Sequence, residues 1–541
     1  MHGLTETTRQ SYDLLVIGGG IIGSGIARDA ALRGLKVALF EKQDFGAGTT
    51  AGSTRLIHGG LRYLEMLDFR LVRLDLRERE TLLKIAPHLV KPLRFIVPFY
   101  ESGLARRTKM RLGMILYDIL SFDKSLPRHR VLDAAEVRAA EPRLRAEGLQ
   151  GAVAYYDAQV FSPERLCLEN LLDARENGAH VFNYAEVTGA LRSGATINGV
   201  RVRETLNPSG EEVEVEGRVV VNASGPWFDR VARNLNPQSE PRIRTTKGVH
   251  LACPSVSRHA LVLFSNLDGR LFFVIPWLGY SWIGTTDTDY SEDPGSARAS
   301  ASDVDYLTGS VEAFVPDVKK GPVFFSNAGV RALVQEAGSE SSVSRMHRVS
   351  DGERTGAPGL VSVLGGKLTG YRAIAEEVVD VVCSKLGVRP PCRTATAPLP
   401  GARPVRPSVG DPSIVDVETA AHLSWLYGSR AAEVIQLAAS DGRLRERLAP
   451  DYPDIAAQVI HAVRAEQCLR LSDFILRRTT LGFSRDQGLG AVWKVIALMA
   501  RELGWPPERE AAEARAFNEY LEMTQAFRRV TPAARHGQPG G

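Results

Sequence analysis

The spacing of apolar positions changes along this chain, and each spacing predicts an element. Continuous apolar runs at 13–17, 37–40 and 360–364 predict strands buried on both faces. The first run meets Gly18-x-Gly20-x-x-Gly23 and passes into an Ala-rich helical segment ending near Gly34. The third meets Gly365-Gly366 and continues as a helical pattern over 367–386. Between 68 and 86, Leu71, Leu74, Leu82 and Leu83 recur at roughly helical spacing, and Pro87, Pro92 and Pro98 then break the pattern. Residues 163–177 read as a helix closed by Gly178. Shorter strand signals stand at 151–157, 181–184, 187–191, 200–203 and 218–221, and 242–290 is rich in β-formers, with RLFFVIPW and YSWIGTTDTDY reading as paired strands. The Pro-rich stretch 394–412 reads as a linker, and 415–530 is almost wholly helical with Arg-rich faces.

The opening run has the parts of a dinucleotide site. Gly18 allows a tight turn, Gly20 lets the backbone approach a pyrophosphate, and Gly23 lets helix pack on strand. The helix N-terminus presents N–H groups to phosphates, and Glu41, about 20 residues on, suits a ribose diol. The small-residue turn NASGPW, 222–227, also lets backbone pass close to a ligand. In 104–122 a basic head of Arg106, Arg107, Lys109 and Arg111 runs into apolar residues. That pattern fits a helix lying on an anionic membrane face, or a core helix with a solvated basic end.

Composition narrows the classes. At 541 residues and 44% hydrophobic the chain can build two or three cores, and a net charge of +4 without long basic blocks implies no nucleic-acid partner. The five cysteines (167, 253, 383, 392 and 468) form no CxxC pair and no metal spacing, so no metal is expected and reduced cytoplasmic thiols are. The polar start MHGLTETTRQ lacks the apolar core of a signal peptide, and no window of 18 consecutive apolar residues spans a bilayer.

The motifs LLVIGGGIIGSGIARDAALRG, STRLIHGGLRYLE, NASGPW, KGVH, FFVIPW, IGTTD, GVRAL and LGGKLTGYR stand here in the order found in the FAD-dependent, quinone-linked glycerol-3-phosphate dehydrogenases, which the chain resembles closely over about 11–400. YGSR near Tyr427 and DFILRRTTLGF near Asp473 extend a looser likeness. The resemblance implies an α/β fold: a glutathione-reductase-type FAD-binding Rossmann domain (11–95, 150–240 and 330–395), interleaved with an antiparallel-sheet substrate domain (96–149 and 241–329). A linker (396–413) and a C-terminal α-helical domain (414–530) follow. It also implies FAD rather than NAD, oxidation of sn-glycerol 3-phosphate to dihydroxyacetone phosphate, and electron delivery to a membrane quinone from the inner face of the cytoplasmic membrane. A homodimer is left open.

By the same resemblance the cofactor is held by Gly18, Gly20, Gly23, Glu41, Thr49, Thr50, Ser53, His58, Gly60, Val187, Ala223, Gly225, Gly366, Lys367, Leu368 and Thr369. Arg62, Tyr63 and Arg345 match phosphate-binding positions, and Arg331, His250 and Lys367 match positions beside the flavin ring. A phosphomonoester carries nearly two charges, which guanidinium forks suit. The C2 hydroxyl must lose a proton, and His58 and His250 are both open as the base. Lys367, expected at a helix start, can stabilise developing negative charge. Rival readings are an oxygen-using glycerol-3-phosphate oxidase, an amino-acid oxidase, and a silent flavoprotein.

Overall fold

The computed structural model describes residues 10–60, 63–64, 66–100, 104–207, 210–335, 346–404 and 414–528, with Leu4 and Thr7. Two sheets carry the architecture. The first has eight strands, with a parallel centre in the order Leu360–Leu364, Val213–Asn222, Tyr12–Ile17, Val37–Phe40 and His180–Phe182. Successive residues of Tyr12–Ile17 point to opposite faces, as a pleated strand demands. Leu14 and Val16 join a core with helices Ile21–Leu32, Pro163–Glu176 and Tyr371–Leu386. Leu15 and Ile17 face the antiparallel meander Ala185–Ser193, Thr196–Glu204 and Val213–Asn222. Both faces are covered, which is why the run is apolar throughout.

The second sheet has ten strands and is largely antiparallel, with Ile243–Pro254 flanked by Phe325–Val334 and Tyr280–Gly284. The register sets Thr246 opposite Arg331, and His250 opposite Asn327 on one side and Gly284 on the other. Together the sheets form the expected α/β architecture, because the chain alternates between them.

One element begins later than its apolar pattern predicts. The helix expected over 367–386 starts at Tyr371. Gly365 and Gly366 take φ of +69° and +110°, and the following residues complete a turn before Gly370. Lys367 therefore lies in the link before the helix rather than at its start.

After residue 414 come the helices Val417–Tyr427, Ala431–Ser440, Ala456–Glu466, Val492–Leu503 and Pro507–Thr524. Leu423, Leu426 and Tyr427 share one core with Leu82, Ile85 and Leu89. Residues 396–404 are packed too: Leu399 is buried, and the Gly401 N–H donates to Glu169.

Candidate active site

A cleft of about 290 Å³ runs from the end of strand Tyr12–Ile17 to the second sheet. Its first wall is the glycine turn. Gly23 does not line it; a Cβ there would lie 1.9 Å from the Gly18 carbonyl oxygen, so this glycine lets helix Ile21–Leu32 sit against the strand. Gly18, Gly20, Ile21 and Ile22 do line it. No side chain caps that helix at Gly20, so its N-terminus faces the cleft as an anion seat. The Ile21 N–H donates to Thr50 Oγ1 at 3.0 Å, tying the turn to the segment 47–54.

Glu41 closes this end. Its carboxylate accepts from the N–H of Gly19 at 2.7 Å and of Gln43 at 2.9 Å, which aims it along the wall. Burial raises its pKa and those two donors oppose the rise. Beside it Lys42 lies 4.0 Å from the Trp227 ring centroid, and burial lowers its pKa. Val187, Ala223 and Gly225 form the opposite side.

Thr49, Thr50, Ser53 and His58 line the middle, and the Thr49 hydroxyl donates to the Val330 carbonyl at 2.5 Å. Gly366, Lys367, Leu368 and Thr369 arrive from the other end of the chain. The His58 N–H donates to Thr369 Oγ1 at 3.1 Å, joining the two segments. Gly60 is not on the lining; it takes φ of +71° and lets Tyr63 fold back, since a Cβ there would lie 2.3 Å from the Tyr63 ring.

Of the cations that line the cleft, Arg331 and Lys367 come from the second sheet and from the late glycine turn. Arg331 donates to Asp287 Oδ1 at 2.9 Å and to Thr285 Oγ1 at 2.8 Å. It reaches them by crossing Gly248, where a Cβ would lie 2.1 Å from the guanidinium. Lys367 Nζ lies 2.7 Å from Asp75 Oδ2 and 3.5 Å from the Tyr63 ring centroid.

His250 lies behind the lining rather than on it. It is buried, stacks on Trp282 at 5.3 Å between centroids, and meets Thr54 Oγ1 through Nε2 at 3.0 Å. Burial, then the charges of Arg331 and Arg55, push its pKa down to about 3, so the imidazole is neutral at ordinary pH. Gly284 makes room for it, since a Cβ there would lie 2.3 Å from the ring. Thr54 is the cleft residue that His250 controls. Sequence reasoning did not single out Thr54, Lys42, Arg230, Asp75 or Asp287, although Thr54 and Asp287 sit inside quoted motifs. Arg62 and Arg345 lie outside the described residues.

Comparison with known proteins decides the family. The model for FAD dependent oxidoreductases matches residues 13–379, and that for the C-terminal domain of alpha-glycerophosphate oxidase matches 392–510. A glycerol-3-phosphate dehydrogenase of Synechocystis sp. is 40% identical over 97% of this chain and 98% of its own. The chain belongs to the FAD-dependent glycerol-3-phosphate dehydrogenase family. Another relative, the aerobic glycerol-3-phosphate dehydrogenase of Staphylococcus saprophyticus, is 35% identical over 93% of each chain. The crystal structure of the glycerol-3-phosphate dehydrogenase from Bacillus halodurans complexed with FAD superposes with a TM-score of 0.77 at 29% identity, covering 96% of both chains.

The residues present fit the family's cofactor. An elongated, glycine-walled cleft with an uncapped helix N-terminus and a fixed carboxylate suits the diphosphate and ribose of FAD. The segments 46–58 and 365–369 supply much of the rest of the cleft's lining. Among the described residues no group of His, Cys, Asp and Glu could hold a metal, and no helix is long and apolar enough to cross a membrane.

Proposed function

We propose that this chain oxidises sn-glycerol 3-phosphate at C2 to dihydroxyacetone phosphate and passes the electrons to a membrane quinone. The observation that carries the reading is the pair of fixed cations, Arg331 and Lys367, in the wall of a dinucleotide cleft. A dianionic phosphomonoester suits such a wall. FAD, when bound, supplies the hydride acceptor.

Arg331 is held by Asp287, Thr285 and the Thr286 carbonyl before substrate arrives, so little reorganisation remains for it to do. With Arg62, Tyr63 and Arg345 it binds the substrate. His58 lines the cleft and is the better placed base for the C2 hydroxyl proton; His250 reaches the cleft only through Thr54. A neutral His250 that fixes the Thr54 hydroxyl orients substrate rather than taking its proton. Lys367 steadies negative charge as it develops.

Quinone delivery needs contact with a membrane. Helix Leu104–Leu120 exposes Leu112, Ile115 and Ile119, one to two turns apart, and Phe122, Met66, Leu67 and Phe69 are exposed as well. An apolar face of this kind beside a basic helix start suits the surface of an anionic bilayer on the inner face of the membrane. The match of 392–510 to an oxidase domain keeps oxygen as the second reading.

Anaerobic mixing of FAD-loaded protein with glycerol 3-phosphate tests the proposal. Bleaching of the flavin absorbance is expected, followed by recolouring with a quinone analogue. Turnover of glycine or sarcosine without bleaching by glycerol 3-phosphate would refute the substrate. Rapid peroxide formation in air, with no response to the quinone, would establish the oxidase reading.

A further inference from the structure

Asp75 stands on helix Phe69–Ile85, outside the cleft lining, and holds the Lys367 ammonium from behind. Packing alone does not explain a carboxylate there. The residue is 1% exposed, and its Oδ1 has no hydrogen-bond partner among the described residues. Asp157 and Glu78 repel its charge. A buried, half-satisfied carboxylate beside two others weakens the fold, and groups of that kind mark working sites.

We propose that Asp75 is a positioning residue for the oxidation: with Tyr63 on the other side, it clamps Lys367 in the cleft wall. This rests on reading the cleft as the FAD and glycerol 3-phosphate site. Lysine is a compact charge on a stem of four rotors, and an ammonium already in place when charge develops acts without first losing that freedom. The clamp also has a pH range. Burial, with Asp157 on strand Leu149–Val160 and Glu78 on Asp75's own helix, pushes Asp75 up to about 6, and Lys367 opposes the rise. Arg79 neutralises Asp157 and Arg372 neutralises Glu78, so among the described residues Lys367 is the cation left to Asp75. Above pH 6 the carboxylate is charged and the clamp is closed; below it the clamp loosens.

The test uses FAD-loaded wild type, Asp75→Asn and Asp75→Glu, mixed anaerobically with glycerol 3-phosphate between pH 5 and 8. The wild-type limiting rate of bleaching is expected to fall as pH drops through about 6. Asp75→Asn should lower the limiting rate at pH 8 by about 10-fold or more, change the half-saturating substrate concentration by less than about threefold, and abolish the inflection. Asp75→Glu should restore part of the rate and the inflection. A second readout needs no turnover: acetylation of Lys367 at pH 8, followed by mass spectrometry, should be several-fold faster in Asp75→Asn than in wild type. An unchanged pH profile, or equal labelling of Lys367, overturns the inference. If the wild type were not bleached, the substrate reading would fall, and the labelling would still decide the role of Asp75.

Discussion

Gly248 offers a sharp test of how the second sheet serves the site. A glycine inside a strand is disfavoured by about 0.5–1 kcal/mol relative to alanine, so its presence in Ile243–Pro254 runs against local preference. The reason is spatial: a Cβ would stand 2.1 Å from the Arg331 Nη2, 2.6 Å from its Cζ and 2.6 Å from the Thr285 Oγ1 that holds it, all well inside contact distance. Gly248→Ala must therefore push the guanidinium off Asp287 and Thr285 while leaving the backbone pairing intact. Displacing one preorganised donor removes about 3–4 kcal/mol of transition-state stabilisation, or roughly 100- to 1000-fold in kcat/KM. The assay is dye-linked oxidation of glycerol 3-phosphate, with FAD content measured by absorbance. FAD content should stay at the wild-type level, since Gly248 does not line the cleft. The decisive variant is the double one. In an Arg331→Ala background the guanidinium clash is gone and the Thr285 hydroxyl is left to give way, so adding Gly248→Ala should lower activity far less than it does in the wild type. If Gly248→Ala kept wild-type kcat/KM, or if the two effects simply multiplied, Arg331 would not be the group this glycine serves.

The protein should sediment with anionic vesicles, and Leu112→Glu with Ile119→Glu should release it to the supernatant; pelleting unchanged by the pair would place the membrane face elsewhere. Burial, then Arg165 and Lys91, push His88 down to about 3. A histidine kept neutral on folding contributes stability present above pH 6.5 and lost as pH falls toward 3, about 3 kcal/mol by pH 4.5, so His88→Leu should flatten the fall of Tm with acid. Equal slopes in both proteins would show that His88 does not drive it. Asp44→Ala should leave Arg477 and Arg478 buried without their shared carboxylate and cost about 3–5 kcal/mol, seen as a lower Tm together with earlier release of FAD on heating. Loss of Tm without any change in FAD release would confine Asp44 to a scaffold role.

The parts of the fold that were legible in the chain are those written in local grammar. An apolar strand, spaced glycines, a helix and an acid fall within residues 13–41, and their pattern is carried by residues close together in sequence. A dinucleotide site could be read from that run, and FAD and the family from the eight motifs that follow one another over about 11–400. Other partners were hidden because long-range pairing creates them. Lys367 and Asp75 are 292 residues apart. The position of Asp75 on a charged helix gave no sign that it would be buried against a cleft wall. His250 shows the same limit from the other direction. Its strand was readable, but that Trp282 and Gly284 on the neighbouring strand would draw the ring behind Thr54 depends on a register no local pattern specifies. The late start of the helix at Tyr371 is a third case, since two positive-φ glycines delay a pattern that is helical by apolar spacing alone.

The C-terminal helices bear on the cofactor site through one residue. Asp44 follows Glu41 by one turn of chain and precedes the lining segment 46–54, so whatever holds Asp44 holds the wall of the cleft. It is held from the far end of the sequence: Arg477 at 2.5 Å and Arg478 at 2.8 Å, with Asn183 donating at 3.0 Å. Arg477 and Arg478, whose guanidinium groups meet one carboxylate, close the π-helical turn Phe474–Arg478. Such turns are rare and gather at functional sites. Asp473 accepts from the Tyr184 hydroxyl at 2.6 Å, and Arg165 reaches Glu466 at 2.6 Å, so the contact is a lattice rather than a single pair. With desolvation opposed by two cations, the Asp44 carboxyl is held well below its usual pKa and stays charged. The helical region is thus a buttress whose removal would loosen the loop between Glu41 and Thr54, and with it the grip on FAD.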